Sequence, residues 1–187
     1  MSTTDEAIGH VEVVAYNPAW PAIFEAERTH LQSNVVPPFL DLEHIGSTAV
    51  LGQRAKPIID MLAAVESLTI SSLLVDQLAA LNYRLVETDM KGRLLFRKPA
   101  SEAHPSFHLH IVEWRTWNDR KERLMRDYLR KHPDTVLSYG RLKDRLATTF
   151  AENSLAYTRA KTDFLQEIMD RACDERGIPR IDVWKDD

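Results

Sequence analysis

The segment from Pro57 to Val65, which reads PIIDMLAAV, is the most apolar run in the chain and carries one charge, Asp60. A short apolar run of this kind predicts a β-strand buried inside a sheet. A carboxylate within such a strand is costly unless it is paired, ligated or solvated. Asp60 therefore lies at a solvated strand end or in a structural ion pair, or it is held rigidly to bind a metal or accept a proton.

Hydrophobic periodicity predicts strands and helices up to about residue 117 and helices alone over 118–176. The fold class that follows is α/β (α+β), a mixed sheet with flanking helices and a C-terminal helical layer. We expect one domain over residues 11–176, with a flexible tail at 1–10 and a C-terminal tail at 177–187. The predicted strands are 11–16, 41–45, 57–65, 83–87, 94–98 and 107–113. The predicted helices are 22–31, 71–81, 119–130, 134–150 and 155–176.

Composition argues against several classes of protein. The net charge of −4 is not that of a general nucleic-acid binder, since such proteins usually carry a basic excess. The single cysteine, Cys173, cannot form an internal disulfide. The chain lacks the run of ~20 apolar residues that a membrane span needs, and its polar N-terminus is not a signal peptide. We therefore expect a cytoplasmic protein that binds neither membrane nor nucleic acid.

The segment HIGST at residues 44–48 predicts a short strand that ends in a sharp turn. Gly46 permits the turn, and Ser47 with neighbouring backbone N–H groups can then bind an anion. Arg54 and Lys56 make the segment before the acidic strand basic, as a phosphate site requires. An ordinary turn is the alternative, because Gly-Ser is common in turns.

His108 and His110 alternate with apolar residues in the segment FHLHIV, residues 107–112. In a strand, this alternation places both imidazoles on one face of the sheet. Such a pair can ligate a transition metal or contact phosphate. The alternative is a solvated sheet face that happens to carry two histidines.

Two tyrosine–lysine pairs with a spacing of four residues occur in the helical half, Tyr139 with Lys143 and Tyr157 with Lys161. Each pair shares a helical face with apolar residues, which predicts partly buried lysine stems. Each lysine then either extends its ammonium to solvent or reaches an anion, such as a ligand phosphate. Arg97, on the strand before the histidine pair, is a further candidate for phosphate binding.

The segment HIGSTAVLGQRAKPIIDM, residues 44–61, resembles the signature of the GrpB family of bacterial proteins. The segments FHLHIV, DYLRKHPD, SYGRLK and AYTRAKTDFL resemble later blocks of that family, so the likeness runs from about residue 11 to residue 172. Leu51 stands where the family usually has proline. The family is similar in fold to the nucleotidyltransferases, which implies a nucleotidyltransferase-like mixed sheet for this chain.

The nucleotidyltransferase pattern is a hydrophobic residue, Gly, and Gly or Ser, followed after a gap by two acids separated by one residue. Ile45, Gly46, Ser47 and Asp60 match it, but Leu62 stands where the second acid is expected. Two carboxylates normally hold two divalent ions that stabilise the attacking and leaving oxygens. The resemblance therefore implies the fold more strongly than the reaction.

These observations predict a protein that binds a phosphorylated small molecule, such as ATP or another nucleotide, between the sheet and the C-terminal helices. It would transfer a nucleotidyl group or activate a carboxylate by adenylation. A binding module without catalysis, favoured by Leu62, and a metal-dependent hydrolase are the alternatives. The expected phosphate or ligand contacts are Gly46, Ser47, Thr48, Lys56, Arg97, Lys143, Tyr157 and Lys161. The expected catalytic residues, which would also hold a divalent metal (Mg²⁺ or a transition metal), are Asp60, His108 and His110.

Overall fold

A computed structural model describes residues 10–69 and 72–184. Its residue contacts divide the chain into two compact units, which we call the sheet unit and the helical unit. As far as they are described, the sheet unit comprises residues 17–49 and 58–120, and the helical unit comprises residues 10–16, 50–57 and 121–184. Within these residues, none of the helices has both the length and the apolar character needed to cross a bilayer.

The described part of the sheet unit contains a mixed sheet of five strands. They are β1 (Asp41–Ile45), β2 (Ile58–Val65), β3 (Arg84–Val86), β4 (Arg93–Lys98) and β5 (Ser106–Glu113). Their order is β1-β2-β5-β4-β3, with β2 and β5 parallel and the other neighbours antiparallel. Because β2 is paired on both sides, the apolar run that contains Asp60 is an internal strand, as predicted. The predicted α/β class, a mixed sheet with flanking helices, is confirmed.

The two faces of this sheet differ in what they carry. The α-helices described in this unit are α1 (Trp20–Asn34) and α2 (Ser72–Ala80), and two short 3₁₀ helices span Ser47–Ala49 and Trp114–Asp119. Helix α1 packs on one face, where Phe24 stacks on His44 with ring centroids 4.8 Å apart. Asp60 and His108 lie on the opposite face, because Asp60 is in register with Ile45 and side chains alternate along a strand.

The described residues of the helical unit form four α-helices around an apolar core. They are α3 (Lys121–Lys131), α4 (Pro133–Thr149), α5 (Ser154–Arg159) and α6 (Thr162–Arg176). Proline at the start of α4 loses no helical hydrogen bond, and Gly177 ends α6 in the left-handed conformation that glycine favours. The predicted helices at residues 119–130 and 134–150 are confirmed. Core residues include Val50, Leu124, Tyr128, Val136, Ile168, Met169 and Cys173.

Two predicted elements are wrong, and a third lies mostly outside the described residues. Residues 11–16 are not a strand, because only Val14 forms a β-bridge, to Ala55. The predicted helix at residues 155–176 is interrupted between α5 and α6, where the Thr162 hydroxyl donates a hydrogen bond to the Arg159 carbonyl at 2.6 Å. The predicted tail at 1–10 lies outside the described residues except for His10.

Candidate functional site

Asp60 and His108 face each other across the parallel strands β2 and β5. Nδ1 of His108 lies 3.5 Å from Oδ1 of Asp60, and the two side chains are 22% and 30% exposed. Burial raises the pKa of Asp60, but the hydrogen-bonding contact with His108 and the charges of the surrounding histidines outweigh it, so this pKa lies below its usual value. These histidines are His108, His110 and His44. The carboxylate is therefore held in its ionised form.

Gly46 lies directly against the Asp60 carboxylate. A Cβ at position 46 would come 2.5 Å from Oδ2 and 3.0 Å from Cβ of Asp60. The backbone of Gly46 also has φ +70°, which disfavours any residue with a Cβ. The 3₁₀ helix at Ser47–Ala49 follows at once. A left-handed residue followed by a tight helical turn orients successive backbone N–H groups in a common direction, which is the geometry of a small anion-binding site.

A buried hydrogen-bond chain supports this turn from beneath. The Thr48 hydroxyl donates to the Ile58 carbonyl at 3.0 Å, and Nε2 of His44 lies 3.0 Å from the same hydroxyl oxygen. Because the hydroxyl has one proton and gives it to Ile58, His44 must donate through Nε2. Thr48 and His44 are both buried. Thr48 thus fixes the turn to β2 in this structure, and its predicted contact with a ligand stays a prediction.

Leu62 occupies the position of the missing second acid and is completely buried. It belongs to an apolar cluster on the same face of the sheet as Asp60; the other members are Ile45, Ala64, Val112 and Trp117. A carboxylate there would lose its hydration without gaining a polar partner from this cluster. The position at which this chain departs from the two-acid pattern is therefore a buried core position.

Arg97 and His110 lie on the same face as Asp60. Arg97 on β4 is in register with His108, and His110 is in register with Leu62. Burial lowers the pKa of Arg97. Sequence reasoning missed Glu43, which is in register with Leu62 on β1 and so adds a second carboxylate to this face. The sequence signal that could have identified Glu43 is the alternation of polar and apolar residues along β1.

In the helical unit, the segment around Arg54 is fixed to α4. Nε of Arg54 donates to Oδ1 of Asp144 at 2.6 Å, and Nζ of Lys143 donates to the Arg54 carbonyl at 2.5 Å. Lys143 is only 2% exposed, and its Nζ lies 4.2 Å from the ring centroid of Tyr139. Gly140 packs against the aliphatic part of Arg54, where an added Cβ would make only ordinary van der Waals contact, 3.6 Å from Cδ. Lys143 thus has a structural partner.

Two other lysines of the helical unit converge on Tyr157. Nζ of Lys161 lies 4.3 Å and Nζ of Lys56 lies 5.9 Å from the centroid of the Tyr157 ring. Lys56 also donates to the Ser154 hydroxyl at 3.3 Å, a residue that the sequence did not suggest. Burial, followed by the charge of Asp144, raises the pKa of Tyr157. Unlike Lys143, both lysines are half-buried, so part of each remains accessible.

Comparison with known proteins decides the family. The family model described as GrpB protein matches residues 10–171. The chain belongs to the GrpB family. A UPF0157 protein of Pseudomonas aeruginosa is 35% identical to it over 174 residues, which cover 91% of this chain and 71% of that protein. The crystal structure of the conserved protein GrpB from Enterococcus faecalis matches with a TM-score of 0.79 and 32% identity, covering 89% of this chain and 99% of that one.

One of the similar proteins is longer than this chain. A UPF0157 protein of Bacillus subtilis, YqkA, is 32% identical over 163 residues, covering 87% of this chain but 47% of that protein. The chain thus spans about half the length of this relative. None of these names states an activity, so the chemistry must be argued from the residues.

The GrpB-family chain brings part of its predicted site together within each unit. In the sheet unit, the Gly46 turn, Asp60, His108, His110 and Arg97 share one region of one sheet face. In the helical unit, Lys56, Tyr157 and Lys161 form one cluster, whereas Lys143 contacts the Arg54 carbonyl. Among residues 10–69 and 72–184, no three His, Cys, Asp or Glu side chains are arranged to hold a metal ion. The predicted metal therefore stays a prediction.

Proposed function

We propose that this GrpB-family protein binds a nucleoside triphosphate through its phosphates and transfers the nucleotidyl group to a small molecule. The observation that carries this proposal is the contact between the Gly46 turn and the Asp60 carboxylate. Backbone N–H groups of such a turn suit phosphate oxygens. A phosphate bound there would lie beside Asp60 and its partner His108, which can hold or accept a proton.

The charges on this sheet face support an anionic ligand. Arg97 is cationic, and His108 and His110 become cationic when protonated. Asp60 supplies the carboxylate that orients His108. The residues present do not fit the two-ion arrangement, since Leu62 replaces the second acid and lies in an apolar cluster. A single divalent ion held by Asp60 and the ligand phosphates remains part of the proposal.

For the helical unit, taken by itself, we propose Lys56 and Lys161 as phosphate-binding residues. Their support is that both ammonium groups lie within 6 Å of the Tyr157 ring centroid, with the Ser154 hydroxyl beside Lys56. Two ammonium groups and a hydroxyl provide several donors to one anion. Lys143 is less suited to this role because its ammonium already donates to a carbonyl in the core.

A binding module without catalysis is the second candidate, and the burial of Leu62 favours it. Both candidates require nucleotide binding, and only the transferase requires release of pyrophosphate. Measuring pyrophosphate in the presence of small alcohols and carboxylic acids therefore separates them.

The direct test is isothermal titration calorimetry of the full chain with ATP, GTP, CTP and UTP, each with and without magnesium. We expect at least one nucleotide to bind. In a separate titration with inorganic triphosphate, which probes phosphate binding by the helical unit alone, we expect Lys161→Ala to weaken binding by about ten- to a hundredfold, the value of a charge-assisted contact of roughly 1.5–3 kcal/mol. Lys131→Ala, an exposed lysine of the same unit, is the matched control and should not change affinity.

The melting temperature of each variant without nucleotide completes this experiment. Unchanged affinity together with a lowered melting temperature would make Lys161 a structural residue. No binding of any of these nucleotides at millimolar concentration would refute the proposed function.

A further inference from the structure

We propose that His108 is the nucleophile of the transfer and carries the nucleotidyl group on Nε2 as a covalent intermediate. This inference rests on the proposed function, because it needs a nucleoside triphosphate at the Gly46 turn. It goes further by naming the atom that attacks phosphorus. The observations that carry it are the orientation of the His108 ring, the single acid of β2 and the cation beside His108.

The orientation of His108 separates the roles of its two ring nitrogens. Nδ1 lies 3.5 Å from Oδ1 of Asp60, which favours a proton on Nδ1. Nε2 then keeps its lone pair and lies on the side of the ring away from Asp60. Within the described residues, the side chain of His108 has no hydrogen bond or ion pair besides its contact with Asp60. A histidine whose Nδ1 faces a carboxylate, leaving Nε2 for the reaction, is the arrangement that activates imidazole and stabilises the imidazolium that forms; at 3.5 Å the contact here is of ion-pair length.

The acid content of β2 favours a covalent route. Direct transfer in a two-ion site uses two carboxylates to position both ions. Here Asp60 is the one acid of β2, since the fully buried Leu62 stands two residues later. The other carboxylate of this face, Glu43, lies on β1 in register with Leu62 and not with Asp60. A histidine nucleophile divides the transfer into two displacement steps, each of which uses the same Asp60–His108 pair.

The neighbours of His108 suit a phosphorus atom bound to it. Arg97 is in register with His108 on β4 and shares its face. His110 lies two residues along β5 and close enough to Asp60 to affect its pKa. Both side chains can donate to the non-bridging oxygens of a nucleotidyl group.

The two steps balance in atoms and electrons. In the first, the Nε2 lone pair attacks the α-phosphorus, an N–P bond forms, and the P–O bond to pyrophosphate breaks with its electron pair on pyrophosphate. Nδ1 keeps its proton, and Asp60 stabilises the imidazolium. In the second, an acceptor oxygen attacks phosphorus, and the N–P bond breaks with its electron pair returning to Nε2. An alcohol acceptor releases its proton to solvent, whereas a carboxylate acceptor has none to release.

The helical unit offers a matched control histidine. Nε2 of His132 lies 2.7 Å from Oε1 of Glu175, with side chains 32% and 47% exposed. This pair has the same chemical groups, a shorter separation and no place in the proposed site. If any histidine beside a carboxylate reacted with nucleotide, His132 would react too.

The experiment uses the full chain with each of the four ribonucleoside triphosphates and magnesium, without an acceptor. The mixture is quenched in alkali, where phosphohistidine is stable, and the site is mapped by tandem mass spectrometry. We expect one nucleotidyl group on His108 that acid removes. We also expect exchange of labelled pyrophosphate into the nucleotide, lost completely in His108→Asn and unchanged in His132→Asn. Asp60→Asn should slow adduct formation by ~10³-fold or more, with a much smaller change in affinity.

Each outcome decides for or against His108. Nucleotide binding by calorimetry with neither adduct nor exchange would overturn the covalent step and leave the proposed function intact. An adduct on His110, on another residue, or carrying only the γ-phosphoryl group would also overturn it. Absence of any nucleotide binding would overturn both. The adduct is mapped on the unaltered chain, so the test does not depend on whether His108→Asn folds.

Discussion

Two pairs of a carboxylate with a basic side chain, Glu27 with Lys98 and Asp60 with His108, lie on opposite faces of the sheet and differ in separation and burial. Glu27 accepts hydrogen bonds from Nζ of Lys98 at 2.9 and 3.1 Å and from the Tyr83 hydroxyl at 2.9 Å. Their side chains are almost completely buried, 9% exposed for Glu27 and 10% for Lys98. Asp60 and His108 are 3.5 Å apart and two to three times more exposed.

This difference separates a structural pair from a reactive one. Glu27 has three hydrogen bonds from two donors, so little of its capacity is left for another molecule. Burial and the charge of Glu27 raise the pKa of Tyr83, which keeps this phenol a donor. The looser Asp60–His108 pair leaves donors and acceptors near the sheet surface, where a ligand can reach them. A close, saturated ion pair is thus weaker support for a functional site than an open one.

The largest effect should come from breaking the saturated pair. Glu27→Gln removes the negative charge and leaves Lys98 buried without it, so we expect a loss of about 3–5 kcal/mol in the free energy of unfolding. Urea unfolding followed by circular dichroism measures this loss. The triple variant Glu27→Leu, Tyr83→Phe and Lys98→Met should recover much of it, because it removes both charges together with the buried hydroxyl that would otherwise lose its acceptor. A single-variant loss below about 1 kcal/mol would mean that this pair contributes no more than a surface ion pair.

An intermediate effect should come from the turn above Asp60. Gly46→Ala combines a left-handed backbone, costing about 1–2 kcal/mol, with a Cβ placed 2.5 Å from Oδ2 of Asp60. Gly52→Ala is the matched control, since Gly52 has φ +76° but nothing within 4 Å of the added Cβ. Thermal unfolding should therefore show a clearly larger loss for Gly46→Ala. Equal losses would mean that the Asp60 carboxylate moves aside without cost, and the close contact would not define the site.

The local sequence pattern was sufficient to draw attention to Asp60 and His108, but not to Glu27 and Lys98. The apolar run around Asp60 and the alternation of His108 with His110 are strand periodicities, which depend only on neighbouring residues. The sequence gives no such signal for Glu27 and Lys98, because they are 71 residues apart and each has the local pattern of an ordinary surface charge. Only the packing of α1 on the sheet brings them together.

The same limit explains the errors and the incomplete predictions elsewhere. The segment 11–16 has the apolar pattern of a strand, but a strand also needs a partner, and only Val14 has one. Helical spacing correctly indicated that Lys143 faces inward. It did not show that the ammonium would meet the Arg54 carbonyl, which lies 89 residues earlier in the chain. Periodicity predicts which face a residue occupies, whereas its partner depends on the tertiary fold.

The smallest of these effects concerns the acid stability of the open pair. The pKa of Asp60 in the folded protein lies below its usual value, so the unfolded chain binds this proton more tightly. The ionised carboxylate therefore stabilises the fold fully above its unfolded pKa of about 3.9, and this contribution is lost as the pH falls through the lower folded value. We expect Asp60→Asn to be less stable than the unaltered chain near pH 6, with the difference shrinking below about pH 4.

The measurement is urea unfolding at a series of pH values, with Asp76→Asn, an exposed carboxylate on α2, as the control for net charge. If both variants gave the same pH dependence, the histidines around Asp60 would not be holding its charge. A difference that grows as the pH falls would have the wrong sign, because it would require a raised rather than a lowered pKa for Asp60. Since the pair is partly solvated, its contribution should stay well below that of Glu27 with Lys98, and a comparable loss would remove the distinction between the structural and the reactive pair.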